Sequence, residues 1–356
     1  MSSSERYGLL LVNLGTPDSP APADVRRYLR EFLSDPRVLD VPAFQRALVL
    51  NLFILPFRPR RSGEAYAKIW SEAGSPLLVY SRALTEKVAA RLGEAAVVDL
   101  AMRYGKPSIA AALDRFRRQG IDRIVVFPLY PQYSSAATGS SIEKVFAEAS
   151  KRWNTPYLQV VPPFFDHPAY IDACVGIARP LLDDAKPEKV IFSFHGLPER
   201  HCLKSDETGA HCLKSDDCCD RIVVANRNCY RAQCFATARA LADRLEVPEE
   251  RRVICFQSRL GRTPWIRPYT DEVVVDLARR GVRNAAILSP AFVADCLETL
   301  EELGIRAAQS FVAAGGDVLH VVPAVNADDR WADGVVTLVR EASAWARAGA
   351  AAGSAS

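Results

Sequence analysis

Eight short apolar runs, at 8–14, 97–102, 124–129, 158–161, 189–194, 253–256, 285–288 and 318–322, punctuate this chain at wide intervals. They are rich in Val, Ile, Leu and Phe and show little polar alternation, the pattern of strands covered on both faces. Between them lie amphipathic helical patterns, for example at 108–119, 141–150, 232–245, 270–280 and 295–303. Parallel strands need a crossover that a helix supplies, so this alternation predicts βαβ units and an α/β fold built on parallel sheets. At 356 residues the chain exceeds most single cores, which favours two domains.

The two halves also rhyme. Segments 123–131 and 284–292 share a pattern: a helix-ending Gly just before, a buried strand, then Pro and an aromatic residue. The expectation is two similar Rossmann-like domains, each a parallel sheet flanked by helices, at 1–165 and 166–344. A tail of mostly small residues, 345–356, is expected to fray.

A formal net charge of +3, evenly spread, gives no basis for nucleic-acid binding. Residues 2–6 are polar and no cleavage pattern follows the first apolar run, so a cytoplasmic location is expected. No stretch reaches the roughly 18 apolar residues of a membrane span. Gly15-Thr16-Pro17 after the first strand lacks a dinucleotide fingerprint, and no phosphate loop occurs, which argues against nucleotide chemistry.

Three stretches carry chemistry. Residues 190–200 form a buried run ending on His195-Gly196 and turning at Pro198. Such a strand delivers one imidazole to its carboxyl end, where open α/β sheets bind ligands; a loop histidine satisfied by a backbone partner is the alternative. In 289–302, Asp295, Glu298 and Glu302 fall at i, i+3 and i+7, on one face of a helix. Asp295 with Glu298 also reads as a capping box, which alone would explain both; a line of acids at a strand end would instead attract a divalent cation or relay protons. Tyr130 to Ser141, again after a buried strand, offers tyrosines and hydroxyls for a flat aromatic ligand, or simply a turn and a cap.

The chain resembles the ferrochelatase family at five places in family order. These are Leu11-Val12-Asn13-Leu14-Gly15-Thr16-Pro17, Tyr130-Pro131-Gln132-Tyr133-Ser134, Phe192-Ser193-Phe194-His195-Gly196-Leu197-Pro198, Gln257-Ser258-Arg259-Leu260-Gly261 with Pro264-Trp265, and 295–302. The resemblance covers about 7–325 and implies a chelatase-like fold. It also implies a lyase that inserts Fe(II) into protoporphyrin IX at the end of haem synthesis. Coproporphyrin III as substrate, or a non-catalytic haem or metal carrier on the same fold, are the alternatives.

By this resemblance His195 accepts a pyrrole proton or ligates the iron, and Glu298 faces it, with Glu302 and Asp295 continuing an acidic path for metal or protons. Leu14, Arg103, Tyr104, Tyr130, Trp265 and Phe292 match porphyrin-lining positions, and Arg58 and Ser75 match positions near the propionates. Animal members carry histidine where this chain has Cys296. The apolar stretch 47–57, followed by Arg58, Arg60 and Arg61, corresponds to a lip at the mouth of the porphyrin site. A buried helix is the alternative; an apolar lip with a basic rim suits peripheral attachment to the inner face of the cell membrane and handover from protoporphyrinogen oxidase.

Six of the nine cysteines crowd between Cys202 and Cys234 in an inserted loop, 200–234. Within it His-Cys-Leu-Lys-Ser-Asp occurs twice, at 201–206 and 211–216. The family includes members with a [2Fe–2S] cluster, which four thiolates hold. Cys234 is set aside because cluster-free bacterial members also carry it, and the duplication makes Cys202 and Cys212 partly redundant. The expected ligands are Cys212, Cys218, Cys219 and Cys229, with zinc or unliganded thiols as the alternatives.

Overall fold

All eight apolar runs form strands, and every pairing between these strands is parallel. The structure, a computed structural model, describes residues 6–261 and 263–346. The strands are β1 (Tyr7–Gly15), β2 (Ala96–Tyr104), β3 (Arg123–Pro128), β4 (Tyr157–Val160), β5 (Lys189–His195), β6 (Arg252–Gln257), β7 (Asn284–Leu288) and β8 (Val318–Val321). They make two four-stranded sheets, ordered β2-β1-β3-β4 and β6-β5-β7-β8. The same order recurs, so the rhyme in the sequence is a repeated topology. In each sheet the chain reverses direction beside the first strand, the switch point outside which α/β sheets bind ligands.

Two compact units result. The first holds Met1–Tyr130, Ser135–Pro162 and the chain from Ala327 onward; the second holds Pro131–Ser134 and Pro163–Asn326. The helix Asp329–Ala342 therefore does not close the second domain, as the division 166–344 expected. It packs on the helix Pro76–Leu92, and its Trp331 meets Phe127 of β3 edge-on at 6.4 Å. Most of the expected tail, from 347, lies outside the described residues.

In the first unit Leu10, Val12, Ile124 and Val126 pack against Ile109, Leu113 and Phe116 of the helix Ile109–Arg118. That helix starts at Ser108, whose hydroxyl accepts the Ala111 amide at 3.3 Å. In the second unit Ile191, Ile287 and Leu319 pack against Val274, Leu303 and Phe311. Each fully buried aliphatic or Phe side chain contributes roughly 1.5–3 kcal/mol, enough to hold the strand ends in place for the site.

Candidate active site and cysteine cluster

The apolar run of β5 leaves His195 as its last residue, half-buried and paired in register with Gln257 of β6. The ring Nδ1 donates to the Gly196 carbonyl at 2.6 Å. A carbonyl only accepts, so Nδ1 carries the hydrogen and Nε2 is the ring nitrogen left for other partners. Trp265 and Phe292 flank the imidazole, with ring centroids 6.4 and 6.3 Å away. Glycine is required at 196, since a Cβ there would lie 2.8 Å from the Gln257 carbonyl and 3.2 Å from the Trp265 ring. That carbonyl also accepts the Gly196 amide at 2.8 Å, which fixes the turn leaving the histidine.

Glu298 opens a π-helical run, Glu298–Ala307, rather than an α-helix starting at Asp295. The expected capping box is absent, and the reason is local. Asp295 Oδ1 accepts from Thr299 Oγ1 (2.9 Å) and the Ala324 amide (3.2 Å), and Oδ2 accepts from Asn326 Nδ2 (2.7 Å). Its carboxylate is 5 % exposed and committed to holding this loop together, so Asp295 leaves the expected acidic line. π-Bulges of this kind often mark functional sites.

Gln257 ties the two halves of the site. Its Nε2 donates to the Glu298 carbonyl at 3.0 Å, while Oε1 accepts the Ser193 and Ser289 hydroxyls at 2.8 and 3.2 Å. The neighbouring Ser258 clasps Glu302, its amide donating to Oε1 (2.9 Å) and its hydroxyl to Oε2 (2.5 Å). Ser258 adopts φ +66°, a left-handed conformation that costs a non-glycine residue of order 1–3 kcal/mol and recurs at functional sites. Burial raises the pKa of Glu302, opposed by the Ser258 hydrogen bonds and reinforced by the charge of Glu298; His195 and Arg306 pull it down. The net shift is upward. An open cavity of about 400 Å³, lined by Thr270, Asp271, Arg306, Gln309 and Ser310, borders Glu302. Motif reading named neither Gln257 nor Ser258 as a site residue, although both stand in a quoted motif.

The first unit gathers its expected site residues at the same end of its sheet. Leu14 lies near the end of β1, Arg103 and Tyr104 end β2, and Tyr130 follows β3. Gly15, at φ +123°, approaches Tyr104 so closely that a Cβ would sit 1.9 Å from its carbonyl oxygen. Arg103 donates from Nη2 to Asp35 Oδ2 (2.6 Å) and from Nε to the Ser140 carbonyl (3.0 Å) and hydroxyl (2.6 Å). Tyr104 and Ser140 hydroxyls donate to the same carboxylate oxygen at 2.9 and 2.6 Å. Burial works to raise the pKa of Asp35, but these donors, the Arg37 amide and the Arg103 charge leave it lowered.

Two of the expected porphyrin-lining or propionate residues are interior. Tyr104 is fully buried, and Ser75 is buried with its hydroxyl accepting from Thr16 Oγ1 at 2.8 Å. Neither presents its side chain at the surface of the first unit. Tyr130 is half-buried with its hydroxyl 3.2 Å from Ser141 Oγ. Asp35, the centre of this network, sits in no motif and was missed.

The lip is not a buried helix. Phe44, Leu48, Val49, Leu52, Phe53 and Phe57 are exposed, with Phe44 at 78 % and Phe57 at 72 %, beside exposed Arg60 and Arg61. Among the described residues, no helix is long and apolar enough to cross a membrane.

In the inserted segment the two identical hexapeptides fold differently. The first forms most of the helix Glu199–Ser205; the second is a turn with Leu213 at φ +59°. Asp206, which ends the first copy, accepts the His211 and Cys212 amides at 2.7 and 2.8 Å and so shapes the second. Cys202 and Cys212, one from each copy, are both buried. Cys218 and Cys219 stand 3.8 Å apart, Sγ to Sγ. The six thiols from Cys202 to Cys234 are buried. Among the described residues, no three His, Cys, Asp or Glu side chains are arranged as ligands about one ion, whether in this cluster or around His195.

The sequence model of the ferrochelatase family matches residues 6–343. This chain belongs to the ferrochelatase family. Its members are lyases that insert ferrous iron into a porphyrin during haem synthesis, so iron and porphyrin enter as substrates. A ferrochelatase of Coxiella burnetii (strain Dugway 5J108-111) is 44 % identical over 341 residues, covering 96 % of this chain and 95 % of the relative. A ferrochelatase of Pseudomonas fluorescens (strain Pf0-1) is 46 % identical over 337 residues, covering 94 % and 98 %. Among solved structures, SirB from Bacillus subtilis with Fe3+ matches at a TM-score of 0.54 and 14 % identity, covering 96 % of this chain and 98 % of that one. At that identity the likeness speaks for the fold alone.

Proposed function

We propose that this ferrochelatase acts on protoporphyrin IX, with His195 and Glu298 as its catalytic residues. Insertion exchanges two pyrrole protons for one Fe(II), which trades its waters for four ring nitrogens. The observation that carries the reading is the placement of His195 at the end of β5 with its Nδ1 taken by the Gly196 carbonyl, which leaves Nε2 for the substrate, next to the strand whose Gln257 anchors Glu298. His195 Nε2 takes one proton. Glu298 takes the second or guides the metal, and Glu302, whose pKa is raised, passes protons to the bordering cavity. Trp265 and Phe292, beside the imidazole, contact the porphyrin.

The exposed apolar lip with Arg60 and Arg61 supports peripheral attachment to an anionic leaflet on the cytoplasmic side, where an insoluble product of protoporphyrinogen oxidase would be handed over. This favours protoporphyrin IX over the more polar coproporphyrin III. Anaerobic assays with Fe(II) and each porphyrin test the choice; faster turnover of coproporphyrin III would reverse it, and binding without turnover of either would favour a carrier. Phe53→Asp with Phe57→Asp is expected to abolish co-sedimentation with anionic vesicles while leaving insertion into detergent-solubilised porphyrin intact.

The six buried thiols are the donor type a [2Fe–2S] cluster takes, but beyond the Cys218–Cys219 pair they are not gathered about one point among the described residues. Such a cluster supplies one-electron redox chemistry and a covalent tie between chain segments. Zinc remains the alternative occupant, and iron and sulfide analysis of anaerobically purified protein separates the two.

A further inference from the structure

Four polar side chains interrupt the apolar interior at the carboxyl ends of β5, β6 and β7. Ser193 lies two residues before His195 and is fully buried, and Gln257 and Thr270 are each 2 % exposed. Ser289, directly after β7, is half-buried. Polar groups in such a place cost stability unless they find partners, and here they find one another. Ser193 Oγ donates to Gln257 Oε1 at 2.8 Å and lies 2.9 Å from Thr270 Oγ1. Ser289 Oγ donates to the same amide oxygen at 3.2 Å, and Thr270 Oγ1 donates to Cys255 Sγ at 3.2 Å.

The network has one outlet. Gln257 Nε2 donates to the Glu298 carbonyl at 3.0 Å. That acceptor and the two serine hydroxyls allow the amide one orientation, nitrogen toward Glu298 and oxygen toward the serines. The main chain of the same residue serves the histidine. Gln257 is paired in register with His195, and its carbonyl accepts the Gly196 amide at 2.8 Å. One residue thus fixes the chain at His195 through its backbone and at Glu298 through its side chain.

Resting on the assignment of His195 and Glu298 as catalytic, we propose that Gln257 is a positioning residue that sets Glu298 relative to His195. Ser193 and Ser289 orient its amide. Gln257 acts through Glu298, so its contribution falls on the insertion step rather than on porphyrin binding. A displacement of about 1 Å at a reacting group is enough to cost about 10²-fold in rate.

The test is anaerobic Fe(II) insertion by the full-length protein, with kcat separated from KM for porphyrin and urea midpoints measured alongside. Gln257→Glu, as a carboxylate, keeps the acceptor used by Ser193 and Ser289 but offers no donor to Glu298. It is expected to lower kcat by about 10–10²-fold and to leave KM within about two-fold. Wild-type kcat in this variant would show that only the serine bonds matter, and overturns the proposal. Because a buried carboxylate can prevent folding, Ser193→Ala/Ser289→Ala provides a second variant. It frees the amide to turn without adding charge, so kcat should again fall at constant KM; an unchanged kcat overturns the proposal. A double-mutant cycle separates positioning from packing. In a Glu298→Ala background Gln257→Met should lower kcat no further, since the group it positions is gone. An equal loss in both backgrounds assigns Gln257 to packing alone. Wild-type activity in Glu298→Ala itself would overturn the catalytic reading on which the proposal rests.

Discussion

The carboxyl ends of β5 and β2 occupy sheets of identical strand order, yet they carry opposite chemistry. β5 ends on an imidazole accompanied by Glu298 and Glu302, side chains of the kind that take up protons or bind metal. β2 ends on Arg103 and Tyr104, locked to a buried Asp35 and Ser140, groups that fix a positive charge. A parallel sheet supplies a place at its strand ends, and the last one or two residues decide what that place does. The first end gathers side chains that can exchange protons, the second a charge held by its neighbours.

Substitutions sharpen that contrast. The largest effect is expected at β5, where His195→Ala should lower the rate of anaerobic iron insertion by about 10²–10⁴-fold. Porphyrin binding, followed by fluorescence, should persist. Glu298→Gln should cost about 10²-fold in the same assay, because the amide keeps the shape and loses the charge. Rates near wild type for both would mean that the chemistry does not reside at β5.

At β2 the expected change is in stability. Asp35→Asn leaves Arg103 without its counter-charge and should cost about 3 kcal/mol in urea unfolding. The folded pKa of Asp35 is lowered, so its stabilisation is present above the ordinary carboxylate pKa and is lost as pH falls through the folded value. The variant should therefore lose part of the acid-side decline in stability. A large loss of turnover with unchanged stability would make β2 a reactive end as well.

The smallest effect is expected at Ser258. Its hydroxyl hydrogen bond lowers the Glu302 pKa, so Ser258→Ala should raise that pKa further. If ionised Glu302 receives the proton, the acidic limb of the pH–rate profile moves to higher pH while the plateau changes little. An unmoved limb would exclude Glu302 from the proton path.

Much of this was legible in the sequence because it is local. Runs of β-branched and aromatic residues with helical patterns between them specify strands and crossovers, and the quoted motifs mark strand ends. The acidic line was read less well. Asp295, Glu298 and Glu302 share a face only if an α-helix starts at Asp295, and the distant Ala324 and Asn326 draw that carboxylate away. Ser75 and Tyr104 matched contact positions but are buried, since burial depends on neighbours far along the chain.

The duplicated hexapeptide draws the boundary most clearly. The sequence by itself determined that eight strands alternate with helices, that His195 ends one of them, and that cysteines crowd into the connection that follows. It did not determine how His-Cys-Leu-Lys-Ser-Asp folds, because the same six residues form a helix once and a turn once. The first copy follows Pro198 and Glu199, a favourable helix start. The second has its first two amides taken by Asp206, which bends the chain instead. Only tertiary structure decided that Asp206 of the first copy would tie the start of the second, and sequence spacing carries no record of that tie.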